Sequence, residues 1–130
     1  MMETGLIARC VLTQMFKVAE RDIVFMGSRK KNKVAARRFY IYYLWRYKKI
    51  KHNRMKEYVY EINHATSIYQ CRLLEKELST YKKVRKNFIT FMYYADRREW
   101  EKMKIDMYYT VDELNDIDFK KQYIDIINLN

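Results

Sequence analysis

The chain has 130 residues, a formal net charge of +11, 49% hydrophobic residues and 13 tyrosines, so it can bury one core and is not expected to be disordered. It contains no proline and only two glycines, which excludes most turns of β-hairpins and sandwiches and predicts an all-α fold. Two cysteines without motif spacing indicate reduced thiols in a cytosolic protein, and no apolar run reaches the roughly 18 residues of a membrane helix.

The first part of the chain predicts two helices separated by a break. Apolar residues at near-helical spacing predict a first helix over residues 4–19, with a short apolar continuation over residues 22–26. Gly27 and Ser28 then interrupt the pattern. A second helix is predicted over residues 33–48, with its arginines facing outward. Its expected inward residues are Val34, Phe39, Tyr42, Tyr43 and Leu44.

The middle of the chain has the outline of a helix-turn-helix. Asn53 is expected to cap a short helix that ends at residue 60. Asn63 is expected to cap a longer helix through residue 78, with Ile68 and either Cys71 or Leu74 facing the core. A short helix, a brief turn and a longer helix define this motif.

The remaining sequence predicts further helices and an acidic end. Ser79 or Thr80 is expected to cap a helix that Trp100, Met103 and Met107 extend. Its core stripe is Val84, Phe88, Phe91, Met92 and Ala95. Short helices are expected over residues 111–117 and 119–127. The sequence therefore predicts a bundle of about five to six helices over residues 1–104 and an acidic C-terminal extension over residues 105–130.

Charge is distributed unevenly along the chain. Residues 23–56 contain twelve Lys and Arg and no Asp or Glu, whereas residues 105–130 contain six acids and two lysines, a local net charge of −4. An ordinary solvated face is the plain explanation of the basic segment, but the absence of carboxylates favours a polyanionic partner, because cations at phosphates release condensed counterions. The acidic segment is expected to be structural, to screen the basic face or to contact a protein partner.

Two segments in a fixed order carry a family resemblance. The first is basic and begins Ser28-Arg29-Lys30-Lys31, before a helix that contains Ala36 to Leu44; the second is Asn63-His64-Ala65-Thr66-Ser67-Ile68. Their order, spacing and helical context resemble the C-terminal DNA-binding domain of the bacterial chromosomal replication initiator DnaA, a Trp-repressor-like helix-turn-helix. The resemblance covers residues 6–94.

The resemblance implies that the chain binds double-stranded DNA. The base-reading residues would be Asn63, His64, Ala65, Thr66 and Ser67, at the N-terminus of a recognition helix in the major groove. An arm at the minor groove or backbone would contain Arg29, Lys30, Lys31 and Lys33. The phosphate-binding set would include Arg37 and Arg38. Independently of the resemblance, this set is expected to include Lys48, Lys49, Lys51 and Arg54.

The side chains at the tip of the recognition helix suggest specific contacts, and some depart from the family pattern. Thr66 could offer its methyl group to a thymine, and Asn63 could pair with an adenine. The family usually has Gly-Gly-Arg before Asp-His, whereas this chain has Tyr60-Glu61-Ile62 before Asn63-His64. Ala65 and Ser67 replace a threonine and a valine of the family.

The expected function is sequence-specific DNA binding that regulates replication initiation or transcription. With two glycines the sequence contains no Gly-x-x-x-x-Gly-Lys-Ser/Thr loop, so no ATPase activity is expected. The expected location is the cytoplasm at the nucleoid, or the host cytoplasm for a phage protein, since the excess of Lys, Tyr, Ile and Asn suits an AT-rich genome.

Other functional classes have weaker support in the sequence. His52 and His64 lack a Ser or Cys at relay spacing, so no enzyme is expected, and the scattered cysteines and histidines predict no metal or cofactor. The alternative is a non-specific nucleic-acid-binding structural or packaging protein. In that case tyrosines among the cations would stack single-stranded bases, although packing in the core is the expected role of these rings. They are Tyr40, Tyr42, Tyr43, Tyr47, Tyr58 and Tyr60.

Overall fold

A computed structural model describes residues 4–106 of the chain, with side chains through Met103. These residues form six α-helices and one 3-10 helix and contain no strand, which confirms the all-α prediction. The helices are α1 (Leu6–Phe16), α2 (Glu20–Val24), α3 (Lys31–Arg46), the 3-10 helix η1 (His52–Glu57), α4 (His64–Thr80), α5 (Lys82–Ala95) and α6 (Arg97–Asp106).

Helix α3 lies at the centre of the bundle. Six consecutive residues, from Phe39 to Leu44, are buried, and α3 packs against α1, α2, α4 and η1. A helix that is buried on every side must be covered by neighbours all round, and here these four elements and α5, through its aromatic rings, cover it. The central position of α3 also overturns the prediction that its arginines all face outward, because Arg37 is buried with the core.

Aromatic rings from three helices form the middle of the core. The ring centroid of Phe39 lies 5.2 Å from that of Phe16 and 5.1 Å from that of Phe88, both in edge-to-face geometry. Phe91 of α5 lies 5.9 Å from Phe39. Phe88, Phe91 and Met92 are buried as the α5 stripe predicts. This interlocking fixes α5 against α3, since offset and edge-to-face pairs are the preferred aromatic geometries.

The first predicted helix is divided by a left-handed residue. Lys17 has φ 55°, and its N–H donates to the carbonyl of Thr13, which ends α1. Helix α2 then begins after Ala19, whose N–H donates to the carboxylate of Asp22 at 2.9 Å. A carboxylate at this position complements the partial positive charge of a helix N-terminus, so residues 20–24 form a separate short helix.

The bounds of the later helices also differ from the predicted ones. The hydroxyls of Ser79 and Thr80 donate back to the carbonyl of Lys76, so both residues belong to α4 and neither caps α5. Asp96 accepts a hydrogen bond from the N–H of Glu99 at 3.2 Å and begins α6 as a new helix. The segment after α3 is a 3-10 helix that starts at His52, with Lys51 rather than Asn53 as its N-cap.

The predicted boundary after residue 104 falls inside α6, which continues to Asp106. The helices predicted over residues 111–117 and 119–127 lie outside the described residues. None of the described helices combines the length and the low charge that a bilayer-crossing helix needs.

Candidate nucleic-acid interface

The beginning of α4 lies at the surface. Asn63, His64 and Ala65 are exposed and Thr66 is half-buried; residues 63–66 are called the α4 tip below. The side-chain oxygen of Asn63 accepts a hydrogen bond from the N–H of Thr66 at 2.8 Å, which makes Asn63 the N-cap. The cap uses one lone pair of that oxygen, so an adenine contact through both amide atoms would share the oxygen with the cap. The adenine contact stays a prediction.

Ser67 is not part of the exposed tip. It has no exposed surface, and its hydroxyl lies 2.8 Å from Nδ1 of His52. The buried residues of α4 are Ser67, Cys71, Leu74 and Leu78, which confirms the prediction for Cys71 and Leu74, whereas Ile68 is only half-buried. The prediction that Ser67 reads bases is wrong, because no base edge can reach it.

Three rings join α3, η1 and α4 behind the tip. Trp45 stacks on His52 with centroids 5.1 Å apart, and the ring of His64 meets His52 edge-on at 6.1 Å. Burial lowers the pKa of His52, and the charges of His64 and Arg72 lower it further. These effects favour the neutral form of His52, and its contact with Ser67 holds α4 against η1.

The contact between His52 and Ser67 was not predicted, because no Ser or Cys lies at relay spacing from either histidine in the sequence. A histidine beside a serine hydroxyl is the arrangement of a base and a nucleophile. Here the hydroxyl is fully buried, so no substrate can approach it, and the contact has a positioning role.

A cationic stripe continues from the tip along the exposed face of α4. Ala65, Tyr69, Arg72 and Lys76 are exposed and recur at helical spacing; they are called the α4 stripe below. They line an open groove of about 500 Å³ together with Ile68 and Leu73. Tyr69, Arg72 and Lys76 were missed as candidate residues. The signal was present, because stepping by four, three and four residues from Ala65 leads to them.

The predicted arm is exposed only in part. Arg29, Lys30 and Lys31 are exposed, and within residues 4–103 none of them pairs with a carboxylate; these three residues are called the basic arm below. Lys33 instead lies 3.1 Å from Asp22. The N–H of Ala19 and then Lys33 lower the pKa of Asp22 by hydrogen bonding to its carboxylate. Lys33 therefore stabilises the packing of α2 against α3 and is less available to DNA.

Arg37 is a structural residue and not a phosphate ligand. Only 5% of the surface of the residue is exposed, and burial lowers its pKa. The guanidinium donates to the carbonyl of Ser28 at 3.2 Å and to that of Asp22 at 3.3 Å. These bonds join the loop before α3 to the core, so the predicted phosphate contact of Arg37 is corrected.

Arg38 is also bonded within the protein. Its guanidinium donates to the side-chain oxygens of Gln70 and Glu77, each at 2.8 Å. The side chain is 16% exposed, and the ion pair with Glu77 links α3 to α4. Two of its nitrogens are engaged within the protein and little of the side chain is exposed, so Arg38 is less available to a phosphate than the sequence predicts.

The cations after α3 divide into paired and unpaired residues. Lys48 lies 3.5 Å from Asp96, and Arg54 forms an ion pair with Glu57 at 2.7 Å, so both predicted phosphate contacts are already partly satisfied. Lys49 and Lys51 are exposed, and within residues 4–103 neither pairs with a carboxylate. A segment whose sequence contains no Asp or Glu can therefore still have carboxylates from other segments beside its cations in the folded protein.

The basic arm and the α4 tip lie near opposite ends of α3. The arm leads into the first turn of α3, whereas Trp45 in its last turn stacks on His52 beside the tip. Arg38, near the middle of α3, reaches Glu77 in the last turn of α4. A helix of 16 residues is about 24 Å long, which sets the approximate separation of the arm and the tip.

Among residues 4–103, no three His, Cys, Asp or Glu side chains converge in a way that could hold a metal ion. Comparisons with protein-family models, with curated proteins and with solved structures find no match for this chain. The resemblance to the DnaA DNA-binding domain therefore remains a prediction from its motifs.

Proposed function

We propose that this protein binds double-stranded DNA in a sequence-dependent way, with α4 in the major groove. The observation that carries the proposal is that the α4 tip and stripe face solvent on a longer helix that follows the short helix η1, the order expected of a helix-turn-helix. Major-groove helices of this motif contact base edges through their N-terminal residues, and the groove is wide enough to admit a helix.

Each exposed side chain has a chemical role in this arrangement. His64, Ala65 and Thr66 would meet base edges, with the methyl group of Thr66 against a thymine. Arg72 can donate two hydrogen bonds to a guanine or bind a phosphate, and Lys76 would bind a phosphate further along the groove. The amide nitrogen of Asn63 would donate a single hydrogen bond.

Two groups of exposed cations would bind the DNA backbone on either side of α4. Lys49 and Lys51 precede η1 beside the tip, and the basic arm lies about 24 Å away along α3. This separation is shorter than the roughly 34 Å of one duplex turn, so one molecule of DNA can contact both groups. The arm would then enter the neighbouring minor groove, whose negative potential attracts Arg and Lys.

The proposed biological role is to occupy sites that control replication initiation or transcription. The 130 residues contain no phosphate-binding Gly-x-x-x-x-Gly-Lys loop, so the proposed role is competition for DNA sites and not ATP-driven melting. Such a protein would be found with the DNA, at the nucleoid of a cell or of a phage host.

Burial of the tyrosines argues against a single-stranded nucleic-acid binder. Tyr40, Tyr42 and Tyr43 are buried, Tyr47 and Tyr58 are half-buried, and Tyr60 alone of the six is exposed. Stacking successive bases needs exposed rings along a groove, which these six residues do not provide. A non-specific packaging role on duplex DNA is the second candidate, and the exposed Lys and Arg support it.

A competition titration would test the proposal. A labelled duplex from a selected pool is bound to the protein and displaced with random duplex, single-stranded DNA or RNA, between about 50 and 200 mM salt. We expect the selected duplex to compete best at every salt concentration. Equal competition by random duplex would favour the packaging role, and stronger competition by single strands would contradict both roles.

A further inference from the structure

The end of α3 and helix α6 form a cationic cleft of about 480 Å³. Its walls contain the cations Arg46, Lys49 and Lys102 and the apolar side chains Trp45, Tyr47 and Met103. Glu99 also lines the cleft and pairs with Lys102 at 3.7 Å, so the charge of the cleft is positive. Lys49 and Lys102 are exposed at its mouth. A ligand for this surface should combine negative charge with apolar groups.

The described part of the chain ends beside this cleft. Met103 is buried, and its sulfur lies 3.6 Å from the hydroxyl of Tyr47, which fixes α6 to the end of α3. Helix α6 ends at Asp106, three residues later, which is less than one turn of about 5 Å. Helix α6 therefore ends close to the cleft.

Residues 111–119 have the chemistry that the cleft requires. They read Val-Asp-Glu-Leu-Asn-Asp-Ile-Asp-Phe, with four carboxylates and no Lys or Arg. Apolar residues alternate with the acids, so the segment can bring carboxylates to the lysines while its apolar side chains contact Trp45, Tyr47 and Met103. Opposite charges and matching apolar groups favour association of the two surfaces.

We propose that residues 111–119 dock in the cationic cleft of the same molecule. Four residues, 107–110, separate the end of α6 at Asp106 from Val111, and these five steps along the chain can span up to about 17 Å, so the segment can reach the cleft. Because the linker is short, the effective concentration of the segment at the cleft is in the millimolar range, and even a weak contact is populated.

Docking would place negative charge beside the α4 tip. Trp45 lines the cleft and also stacks on His52, whose ring meets that of His64. Lys49 lines the cleft and belongs to the proposed phosphate-binding cations. The docked segment therefore competes with DNA for this end of the interface, and this consequence rests on the proposed function.

Zero-length cross-linking of the full chain without DNA tests the docking directly. A carbodiimide joins carboxylates to lysine amines that touch, and mass spectrometry locates the joined pairs. Lys49 is the informative residue because it is remote in sequence from Asp112, Glu113, Asp116 and Asp118. We expect these acids to join Lys49 several-fold more often than Lys30 or Lys31, which are exposed near the other end of α3.

Equal joining to all three lysines would overturn the proposal. Loss of the Lys49 cross-link on adding duplex DNA would support the competition, and an unchanged cross-link with bound DNA would refute it. If the chain binds no duplex, the proposed function fails, while the cross-links in the DNA-free protein still decide the docking.

A variant of the full chain measures the effect on DNA binding. Asp112→Asn, Glu113→Gln, Asp116→Asn and Asp118→Asn together should tighten binding about tenfold at low salt, with a smaller gain at high salt. The control, Lys120→Gln with Lys121→Gln, removes two positive charges directly after the segment and should weaken binding. Unchanged affinity in the fourfold variant would overturn the competition.

Discussion

The hydroxyl of Ser67 lies 2.8 Å from Nδ1 of His52, and this contact joins the 3-10 helix η1 to helix α4. Ser67 is fully buried and His52 is half-buried beneath Trp45, so the contact is part of the core behind the α4 tip. A buried hydroxyl without a partner is costly, and His52 supplies that partner. The orientation of α4 therefore depends on a histidine in the preceding helix.

The lowered pKa of His52 predicts a pH dependence of stability. Burial, and then the charges of His64 and Arg72, lower the folded-state pKa below its ordinary value of 6.5, so the unfolded chain binds a proton first as the pH falls. The contribution of His52 to the free energy of unfolding should be fully present above pH 6.5 and should be lost as the pH falls below it. Urea titrations of His52→Gln should show a flatter dependence. Asn53→Gln, at an exposed neighbour, should retain the wild-type slope, and an equal slope in His52→Gln would contradict the assignment.

Substitutions of Arg37 and Arg29 should affect different properties, namely stability for Arg37 and DNA binding for Arg29. Arg37→Met should lower the free energy of unfolding by about 2 kcal/mol, because two carbonyls lose their donor. The same substitution at the exposed Arg29 should change stability by less than about 0.5 kcal/mol but reduce the salt slope of DNA binding by about 1. Urea unfolding and binding titrations at several salt concentrations measure both. A stability loss at Arg29 and none at Arg37 would reverse the assignment.

The ion pair between Arg38 and Glu77 should behave as a link between α3 and α4. Arg38→Glu should destabilise the protein by about 1 kcal/mol or more, because two carboxylates then face each other. The Arg38→Glu variant should also bind DNA more weakly, because the position of α4 is disturbed. Exchanging both residues, as Arg38→Glu with Glu77→Arg, should restore much of the stability and of the DNA affinity. If the exchange restores stability while binding stays lost, Arg38 contacts phosphate after all.

The α4 stripe should contribute to affinity. Arg72→Ala should weaken binding to a selected duplex by about 1–3 kcal/mol, because a base or phosphate contact is removed. Arg98→Ala, an equal loss of charge at an exposed position on α6, should have a smaller effect that fades with salt. Equal effects of the two changes would show that α4 contributes only net charge.

Local sequence patterns predicted the elements of the fold better than their bounds. The periodicity of α5 and the cap at Asn63 were readable because both depend on neighbouring residues. The end of α1 was not, because Lys17 adopts a left-handed conformation that usually selects glycine. The split at Asp96 depends on a carboxylate used as a helix cap, at a site where the apolar pattern continues.

The candidate site was predictable as a region but not residue by residue. The first core position of α4 was misjudged because Ile68 is apolar and Ser67 polar, yet Ser67 is buried with a histidine partner from η1, whereas Cys71 and Leu74 are buried as predicted. The charges were misjudged because Glu77 and Asp96, which pair with Arg38 and Lys48, come from distant segments. Contacts of this kind arise from tertiary packing, which local charge counts do not contain.

Selection from a pool of random duplexes tests the central claim most directly. The wild-type protein and the double variant His64→Ala with Thr66→Ala are each used to select bound DNA at one salt concentration. We expect the wild-type protein to enrich a defined sequence, and the variant to lose that preference while retaining salt-sensitive binding. Enrichment of the same sequence by both proteins, or of none by the wild-type protein, would contradict the assignment of α4 as the recognition helix.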